Sequence, residues 1–554
     1  RDRVQASGDL PAVSVLAGQA GSFGSEGTAL LEIIHDIAPG ATLSFATAAG
    51  GQAAFAQNIL DLRHVEGCQV IMDDVEYYSE SPFQDGIIAQ SIEEVVRDGA
   101  LYFASAGNSG NLRSGTSGVW EGDYRPTALP STALPEIPGL SAHDFEGEGY
   151  NRITADPPFG ITLFWSDPLG ASATDYDLFL LDANLENVLA HSTNIQDGKQ
   201  DPYEFIDSRF RNDSGNVLVI TRTGGGDRFL HLNTLQGRLA VATDGQLKGH
   251  FGAEATIAVA PVNVQLAAGG PFTGGPGESV ASYGSDGPRR VFYRADGTAL
   301  TPGNLSGSGG VLRPKPDITA ADRVATATVG FNPFAGSSAA AAHASGIAAL
   351  LLQRDPGLRR ENLQALLAMT ALDLGDEGHD RDAGYGIVMA DASLRTLQDC
   401  TPDFGDIPCS HPAFSAIEAA LAAGTMTGCG HTSFCPAATH SREEMAVTLL
   451  RVLHGAAHTP PDRPNTRFVD VPADSPLADC IEQLAVEGIT RGCGDSNYCY
   501  GKPTTRAPVA IFLLRSKYGG GYHPPPATGA VFSDVSNHSP AAAWIEQLAR
   551  DGIT

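Results

Sequence analysis

Residues 336–346 read Gly-Ser-Ser-Ala-Ala-Ala-Ala-His-Ala-Ser-Gly, and a long apolar run follows them. The pattern predicts a loop that ends in a serine and passes directly into a tightly packed helix. Backbone N–H groups and the helix dipole at such a junction favour a developing anion beside the serine. The same residues also describe a plain alanine-rich buried helix, so this segment alone leaves both interpretations open.

Outward from this segment, residues 1–395 alternate between apolar β-rich runs and helical patterns. The runs are 13–16, 42–46, 70–72, 100–105 and 256–259, and the helical patterns are 27–37, 53–62, 86–97 and 339–353. Such alternation predicts an α/β domain with a parallel sheet and helices on both faces. Residues 140–239 break the rhythm with short alternating runs between turn residues, which predicts an inserted β-sandwich.

Two further motifs place polar groups at the ends of predicted elements. Residues 101–110 form an apolar strand followed by a glycine turn that presents Asn108. An amide is a suitable oxyanion donor, although an ordinary turn asparagine would look the same. Glu26 begins a Glu-Gly-Thr sequence and an apolar helix that ends before Pro39. It is either a cap of this helix or a residue that takes part in the chemistry.

Together these motifs resemble the subtilisin-like serine peptidases, the subtilases. The Gly-Ser-Ser-Ala segment resembles the family's nucleophile signature at Ser338, and the Ala-Gly-Asn segment resembles its oxyanion motif at Asn108. Residues 249–260, 315–318 and 382–386 also resemble family segments. The resemblance implies a subtilase-type fold and a serine endopeptidase that acts on proteins or peptides through an acyl-enzyme on Ser338.

The chain departs from the family pattern at the base. Where subtilases have His-Gly-Thr, this chain has a glutamate, Glu26, as in the related sedolisins. The sedolisin aspartate four residues later is Leu30 here, and the sedolisin oxyanion aspartate is Asn108. The proline that usually follows the nucleophile motif is Ala342. The subtilase aspartate strand is expected before residue 1, so we expect the catalytic domain to begin upstream and this chain to be inactive or poorly folded.

Two consecutive acids at the end of a predicted strand, Asp73 and Asp74, could assist Glu26. Neighbouring strand residues face opposite sides, so only one of them can face Glu26, and the register of the subtilase strand favours Asp74. Burial and a second carboxylate raise the pKa of a carboxyl group. The hypothesis is that Glu26 and Asp74 share a proton and work with Ser338, with Glu26 taking the proton. Alternatively, the aspartates only cap the next turn.

Other polar residues are better explained without catalysis. A structural role is favoured for each of three histidines near the motifs, His35, His250 and His343. Asp175, Asp177 and Asp182 could bind calcium, but the EF-hand spacing is absent, so a solvated acidic edge is favoured. No cofactor or metal is therefore predicted.

The last third of the chain repeats itself every 64 residues: Phe468-Val-Asp-Val-Pro corresponds to Phe532-Ser-Asp-Val-Ser. We predict helical modules at 403–457 and 467–518, and an incomplete one at 530–554 that we expect to continue. The repeats resemble S-layer homology modules. That resemblance implies attachment to cell-wall polysaccharide through Arg442 and Arg506, with ion pairing inside each module as an equal alternative.

Seven of the eight cysteines lie between Cys400 and Cys499. The spacing C-x5-C occurs twice, at 429–435 and 493–499, and favours two short disulfide loops over zinc ligands or reduced thiols. Disulfides imply an oxidising compartment. The pairing of the remaining cysteines in this region stays open: Cys400, Cys409 and Cys480.

Composition narrows the function classes further. The formal net charge of −29 disfavours a nucleic acid partner, and no apolar run reaches the ~18 residues of a membrane span. With 42% hydrophobic residues the chain can fill a core. The combined prediction is a secreted, envelope-attached serine endopeptidase. The alternative is a non-catalytic surface adhesin or scaffold that keeps the subtilase fold.

Overall fold

The computed structural model of the chain describes residues 2–553 except 22–23, 136–139, 158, 276, 400–403, 409–410, 412, 431, 463–466, 530, 533–534 and 552. The chain divides into two compact units, Arg1–Gln398 and Asp399–Thr554. Cys400 and Cys409 lie outside the described residues, and so does any pairing between them.

Helices occur in both units. In chain order they are α1 (Asp2–Ser7), α2 (Glu26–Ile37), α3 (Gln52–His64), α4 (Ile87–Arg97), α5 (Ser337–Arg354), α6 (Arg360–Thr370), α7 (Ala390–Asp399), α8 (Phe414–Ala422), α9 (Arg442–His454), α10 (Ala478–Val486), α11 (Arg506–Tyr518) and α12 (Ala542–Arg550). Short 3₁₀ turns occupy Gly249–Gly252 and Val264–Ala267.

The described strands all belong to the first unit. They are β1 (Val13–Val15), β2 (Leu43–Phe45), β3 (Val70–Asp73), β4 (Leu101–Ser105), β5 (Val119–Asp123), β6 (Pro126–Thr127), β7 (Ser141–His143), β8 (Asn151–Ala155), β9 (Gly160–Trp165), β10 (Asp175–Leu181), β11 (Val188–Ser192), β12 (Tyr203–Asp207), β13 (Val217–Gly224), β14 (Phe229–Asn233), β15 (Arg238–Leu239), β16 (Ile257–Asn263), β17 (Arg289–Val291), β18 (Val311–Arg313) and β19 (Ile318–Asp322).

A parallel sheet in the order β19-β16-β4-β3 forms the centre of the first unit. Every residue of β4 is buried, because helices cover both faces of the sheet. Alternate strand residues such as Phe103 and Val259 pack against α5 and α6 on one face, whereas Tyr102 and Ala258 pack against α3 and α4 on the other. The predicted parallel sheet with helices on both faces is confirmed.

Helix α5 runs beneath this sheet and is the element that presents the serine. Its first two turns are lined by small buried residues, Ala339 to Ala342, which let the helix lie close to the sheet and to α2. Gly346 serves the same purpose, since a Cβ there would lie 2.9 Å from Cβ of Ile37. The N-terminus of α5 therefore stands next to the N-terminus of α2.

Residues 119–239 form two antiparallel sheets. One contains β12-β9-β14-β5, and the other is built around β11-β10-β13-β7-β6 with β8 and β15 attached. Large apolar side chains from both sheets, Trp165 and Tyr176 among them, share one core. The antiparallel strands begin at β5, earlier than residue 140, where the sequence pattern first changes character.

In the described parts of the second unit the regular elements are helices, and the 64-residue repeat is visible in them. Helix α9 corresponds to α11 at that offset, and α8 and α12 correspond to α10 in the same way. Disulfides join Cys429 to Cys435 and Cys493 to Cys499, as the C-x5-C spacing predicted, while Cys480 carries a free thiol.

Candidate active site

Ser338 is the second residue of α5, with a side chain that is 4% exposed. The helix follows Gly336, whose φ of +129° favours glycine. A Cβ at this position would lie 3.3 Å from Oγ of Ser338 and 3.3 Å from Nδ2 of Asn108. The absence of a side chain at Gly336 thus leaves a small space that both polar groups border.

Asn108 lies in the turn after β4, and its orientation is fixed by the residue before the serine. Oδ1 of Asn108 accepts hydrogen bonds from the backbone N–H of Ser337 at 2.9 Å and from its hydroxyl at 3.1 Å. The Ser337 hydroxyl in turn accepts from the backbone N–H of Gly107 at 3.2 Å. With its oxygen engaged, the Asn108 amide offers its N–H₂ donor to the space beside Ser338.

The carboxyl group of Asp74 follows β3 and interacts with three groups. The hydroxyls of Ser338 and Ser105 lie close enough to it to lower its pKa, and the carboxyl of Glu26 lies beside it. Burial is the main cause that raises the pKa of Asp74 to about 8, and the neighbouring charge of Glu26 adds to the increase. The two hydroxyl donors oppose it. Asp74 is therefore largely protonated at neutral pH.

Glu26 is the first residue of α2, and its side chain is exposed to solvent on one side. Partial burial raises the pKa of Glu26 above its ordinary value, whereas a hydrogen bond from Asp74 acts in the opposite direction. A hydrogen bond between two carboxyls needs one proton, so the two groups share the proton that the raised pKa of Asp74 retains.

The structure brings together the four residues expected at the site: Ser338, Asn108, Glu26 and Asp74. The contacts among them differ from an arrangement in which Glu26 takes the serine proton directly. Asp74 is the carboxyl that contacts Ser338, and Glu26 is linked to the serine through Asp74. Glu26 is thus not the direct partner of the Ser338 hydroxyl. The reason is the length of β3, which carries Asp74 past the sheet edge to the start of α5.

Three residues that contact the candidate site were not predicted from the sequence. Ser105 ends β4 and lies beside Asp74, whose pKa it lowers. Ser337 orients Asn108 through a hydrogen bond from its backbone N–H. Asp322 ends β19 and accepts a hydrogen bond from the N–H of Gly336 at 3.1 Å, which holds the turn before α5. The doubled serine at 337–338 was a usable signal, whereas the contacts of Ser105 and Asp322 depend on strand order.

Asp73, the neighbour of Asp74, belongs to a separate buried network. It accepts hydrogen bonds from the Tyr102 hydroxyl at 2.7 Å and from Nε2 of His250 at 3.1 Å, while Nδ1 of His250 lies 2.7 Å from Glu80. Burial lowers the pKa of His250, but the carboxylates of Glu80 and Asp73 outweigh it and raise the pKa to about 10. His250 is thus a buried cation held by two acids.

The other two histidines also have places away from the serine hydroxyl. Nδ1 of His343 lies 3.1 Å from the carbonyl of Ala339 in its own helix, and burial lowers the pKa of His343. His35 lies in the last turn of α2, at the opposite end from Glu26.

In the described ranges, no group of three or more histidine, cysteine or acidic side chains is arranged to hold a metal ion. Two of the three acids that could bind calcium, Asp175 and Asp182, have hydrogen-bond partners within the protein. Asp175 accepts from the Thr223 hydroxyl at 2.6 Å, and Asp182 accepts from the Glu186 N–H at 2.8 Å. Burial raises the pKa of Asp177 to about 7.

In the second unit, Arg442 is enclosed, where the sequence left polysaccharide contact and ion pairing inside the module equally open. This side chain is 7% exposed, its guanidinium lies 5.1 Å from the ring centroids of both Tyr498 and Phe512, and its Nε donates to the Tyr498 carbonyl at 2.7 Å. A guanidinium enclosed in this way joins two repeats and does not face a surface ligand. Arg506, its equivalent one repeat later, is exposed at the start of α11.

Comparison with known proteins gives a family match for part of the chain. Residues 178–386, a segment that includes Ser338, match the family model described as Subtilase family, peptidase S8. Glu26, Asp74 and Asn108 lie outside the matched residues. The family match supports a subtilase-like serine peptidase.

Individual relatives are more distant or cover less of the chain. Fervidolysin of Fervidobacterium pennivorans is 40% identical over 65 residues, which is 12% of this chain and 9% of fervidolysin. The CspB protease of Clostridium perfringens is 14% identical with a TM-score of 0.41, covering 65% of this chain and 76% of that protein. A lanthipeptide protease is 14% identical with a TM-score of 0.31, covering 70% and 81%.

No helix in the described ranges combines the length and the apolar character needed to cross a membrane.

Proposed function

We propose that this chain is a serine endopeptidase that hydrolyses peptide bonds of proteins or peptides through an acyl-enzyme on Ser338. The observation that supports this most directly is that the Ser338 hydroxyl lies close to the Asp74 carboxyl, which in turn lies beside Glu26. A hydroxyl that faces a linked pair of carboxyls with one shared proton has a route for losing its own proton.

The proton moves in two coupled steps. As Oγ of Ser338 bonds to the peptide carbonyl carbon, its proton passes to one oxygen of Asp74, and the proton on the other oxygen passes to Glu26. Glu26 is thus the final base and Asp74 the relay. When the tetrahedral intermediate collapses, the C–N bond breaks and the leaving nitrogen takes a proton back from Asp74, which Glu26 replenishes. A water molecule then attacks the acyl-enzyme by the same route.

The negative charge that forms on the former carbonyl oxygen needs a hydrogen-bond donor near the serine. The Nδ2 group of Asn108, held by Ser337, has the position and chemistry for this role. The first N–H groups of α5 have no partner within the helix and add a positive field at the same place.

We further propose that the protein is secreted and that its second unit attaches it to the cell envelope. The disulfide loops at 429–435 and 493–499 support an oxidising location. The repeated helices are proposed to be S-layer homology modules that bind an anionic cell-wall polysaccharide. With Arg442 enclosed, the exposed Arg506 is the basic residue proposed to contact that ligand.

The alternative is a non-catalytic adhesin or scaffold with the same anchor, favoured by the absence of a histidine at the usual base position. A fluorophosphonate probe distinguishes the two, because it modifies only an activated serine. The proposal predicts stoichiometric labelling of the folded protein at Ser338, found by mass spectrometry, and loss of labelling in Ser338→Ala. Ser345→Ala, a buried serine on the same helix, is the matched control and should label normally. Absence of labelling in a protein with native circular dichroism would favour the scaffold.

A further inference from the structure

Arg323 follows β19 directly and has a backbone conformation that arginine rarely adopts. Its φ is +57°, in the left-handed region, where the Cβ of any residue other than glycine is crowded. Glycine would adopt this conformation without that crowding. Strained backbone of this kind is common in residues that bind ligands or substrates, so the side chain of Arg323 is a candidate for such a role.

The backbone places Arg323 beside the turn that leads to the serine. Val324 and Phe334 exchange two backbone hydrogen bonds, of 3.1 and 2.7 Å. In an antiparallel pair of this kind, the residue before one partner lies opposite the residue after the other, so Arg323 lies opposite Ala335. Ser338 follows Ala335 by three residues.

The side chain of Arg323 stacks on the ring of Tyr283, with the guanidinium carbon 6.0 Å from the ring centroid. The hydroxyl of Tyr283 donates to Oδ2 of Asp322. The same oxygen accepts the backbone N–H of Gly336 at 3.1 Å. One buried carboxyl thus joins the tyrosine on which Arg323 rests to the turn before α5.

Tyr283 is also attached to the turn that holds Asn108. Its carbonyl accepts the N–H of Gly110 at 2.8 Å, and the hydroxyl of Ser285 accepts the N–H of Ser109 at 3.0 Å. The half-buried ring of Tyr283 therefore lies between the turn of the oxyanion donor and the turn of the nucleophile. A guanidinium on this ring is next to the place where the substrate binds.

The charge of Arg323 is available to a ligand. Arg313 of the same unit is bound to Asp85 through two hydrogen bonds of 2.7 Å, whereas none of the side-chain N–H groups of Arg323 donates to a residue that the structure describes. Asp322 attracts Arg323, but this acid is fully buried and already accepts two hydrogen bonds. The half-exposed guanidinium keeps its donors for another partner.

We propose that Arg323 and Tyr283 form a subsite that binds an acidic side chain of the substrate within two residues of the scissile bond. A guanidinium presents two parallel N–H donors to a carboxylate, and the ring below it fixes its plane. The inference rests on the proposed function, because the recognised residue belongs to the peptide that Ser338 cleaves.

The charges around the site favour an acidic residue on one side of it only. Asp74, with Glu26 beside it, lies beyond β3 at one end of the strand order, and Arg323 lies beyond β19 at the other end. A peptide that crosses Ser338 between these ends has carboxyls on one side and a guanidinium on the other. The acidic side chain is therefore bound on the β19 side, although the net charge of −29 attracts basic peptides in general.

The test compares the cleavage sites of the full-length wild type, Arg323→Gly and Arg323→Glu in a denatured protein mixture, identified by mass spectrometry. In the wild type we expect Asp and Glu to be enriched ~threefold to tenfold at one position within two residues of the cleaved bond. Arg323→Gly should lose this enrichment. Its Tm should change little, because relief of the left-handed strain offsets the added freedom of the unfolded chain.

Arg323→Glu supplies a readout that a merely structural arginine would not change, since Lys and Arg should then be enriched at the same position. Arg395→Ala, which removes an exposed arginine on α7, should keep the wild-type pattern. A wild type without acidic enrichment, or an Arg323→Gly variant that keeps it, would overturn the subsite.

A binding assay separates this subsite from catalysis. In the Ser338→Ala full chain, fluorescence anisotropy is measured with rhodamine-labelled peptides that differ only in one Glu or Gln. The Glu peptides should bind more tightly, and the difference should shrink with salt and disappear when Arg323→Gly is added. Such binding without any cleavage by the wild type would contradict the proposed peptidase and support the subsite. Cleavage with equal binding of both peptides would overturn the subsite alone.

Discussion

Asp73 and Asp74 are consecutive, yet their carboxyls point to different networks on opposite sides of the end of β3. Asp73 accepts from Tyr102 and His250 in the interior, whereas Asp74 meets Ser338, Ser105 and Glu26. The separation follows from the alternation of side chains along a strand. Asp73 is thereby tied to a buried cation, which leaves Asp74 as the carboxyl that can exchange a proton with Glu26.

This division leads to a prediction about the pH dependence of catalysis. The relay requires one proton on the carboxyl pair, so kcat should follow a bell with an acid limb above pH 4.5, where Glu26 becomes protonated. It should fall again near pH 8, where Asp74 ionises and two negative charges stand beside the forming anion. Hydrolysis of a chromogenic peptide across pH 4–10 measures the profile.

The Glu26→Gln variant tests the final base in the same assay. It should lose ~10²–10⁴ in kcat and should lack the acid limb, because no carboxylate remains to receive the relayed proton. Glu32→Gln, a buried glutamate on the same helix that contacts Ala327 and Thr328, serves as the control for general damage to α2. An unchanged acid limb in Glu26→Gln would contradict the relay.

The unusual pKa of Asp74 also affects stability. Its folded pKa of about 8 is raised from 3.8, so the protonated form contributes stability that is complete below pH 3.8 and is lost as pH rises through 8. Asp74→Asn removes this dependence. We therefore expect the difference in Tm between Asp74→Asn and wild type to become more positive from pH 4 to pH 8. A difference that stays constant with pH would show that Asp74 titrates normally.

Asn108→Asp tests the oxyanion donor with little change in shape. The variant keeps the oxygen that accepts from Ser337 but replaces the Nδ2 donor by a second acceptor. We expect kcat to fall ~10²–10³ with little change in KM, since the lost interaction forms mainly in the transition state. Circular dichroism and Tm verify that the turn is intact. A variant that only raises KM, with kcat unchanged, would place Asn108 in ground-state binding.

The sequence predicted the elements of this site better than their mutual contacts. The periodicity of residues 27–37 and 339–353 located α2 and α5 to within two residues, because apolar spacing along a helix is a local property. Strand alternation also separated Asp73 from Asp74. The interposition of Asp74 between Glu26 and Ser338 was not predictable in this way, since it depends on where three separate elements end in space.

The same dependence on tertiary contacts explains why the sequence did not predict the enclosure of Arg442. Its local sequence resembles that of Arg506, and nothing within one repeat indicates that the rings of Tyr498 and Phe512 enclose it. Contacts between repeats are a tertiary property that pattern analysis does not reach.

His250 provides a stability prediction with a defined pH dependence. Its pKa is raised from 6.5 to about 10, so its contribution is complete below pH 6.5 and is lost as pH rises through 10. His250→Gln leaves Asp73 and Glu80 buried without their cation, and we expect a loss of about 3–5 kcal/mol at pH 6. Chemical denaturation at pH 6 and pH 10.5 should show a smaller loss at the higher pH. An equal loss at both would mean that His250 is held neutral.

Arg442 and Arg506 form a matched pair in which the same residue, 64 positions apart, has two different roles. Arg442 lies between two aromatic rings and donates to a backbone carbonyl, so Arg442→Ala should lower the Tm of the second unit's transition in the full chain. Arg442→Lys should restore little, because an ammonium group cannot stack as a guanidinium does. Differential scanning calorimetry measures both variants.

Arg506→Ala should leave the stability unchanged but weaken binding to the polysaccharide. Because the side chain is exposed, Tm should stay within the error of wild type, while retention on purified pyruvylated cell-wall polysaccharide should fall and become less sensitive to salt. Arg395→Ala, an exposed arginine of the first unit, controls for the loss of one positive charge. If Arg506→Ala binds the polysaccharide as wild type does, this arginine does not carry the attachment, and the exposed start of α11 has no part in anchoring.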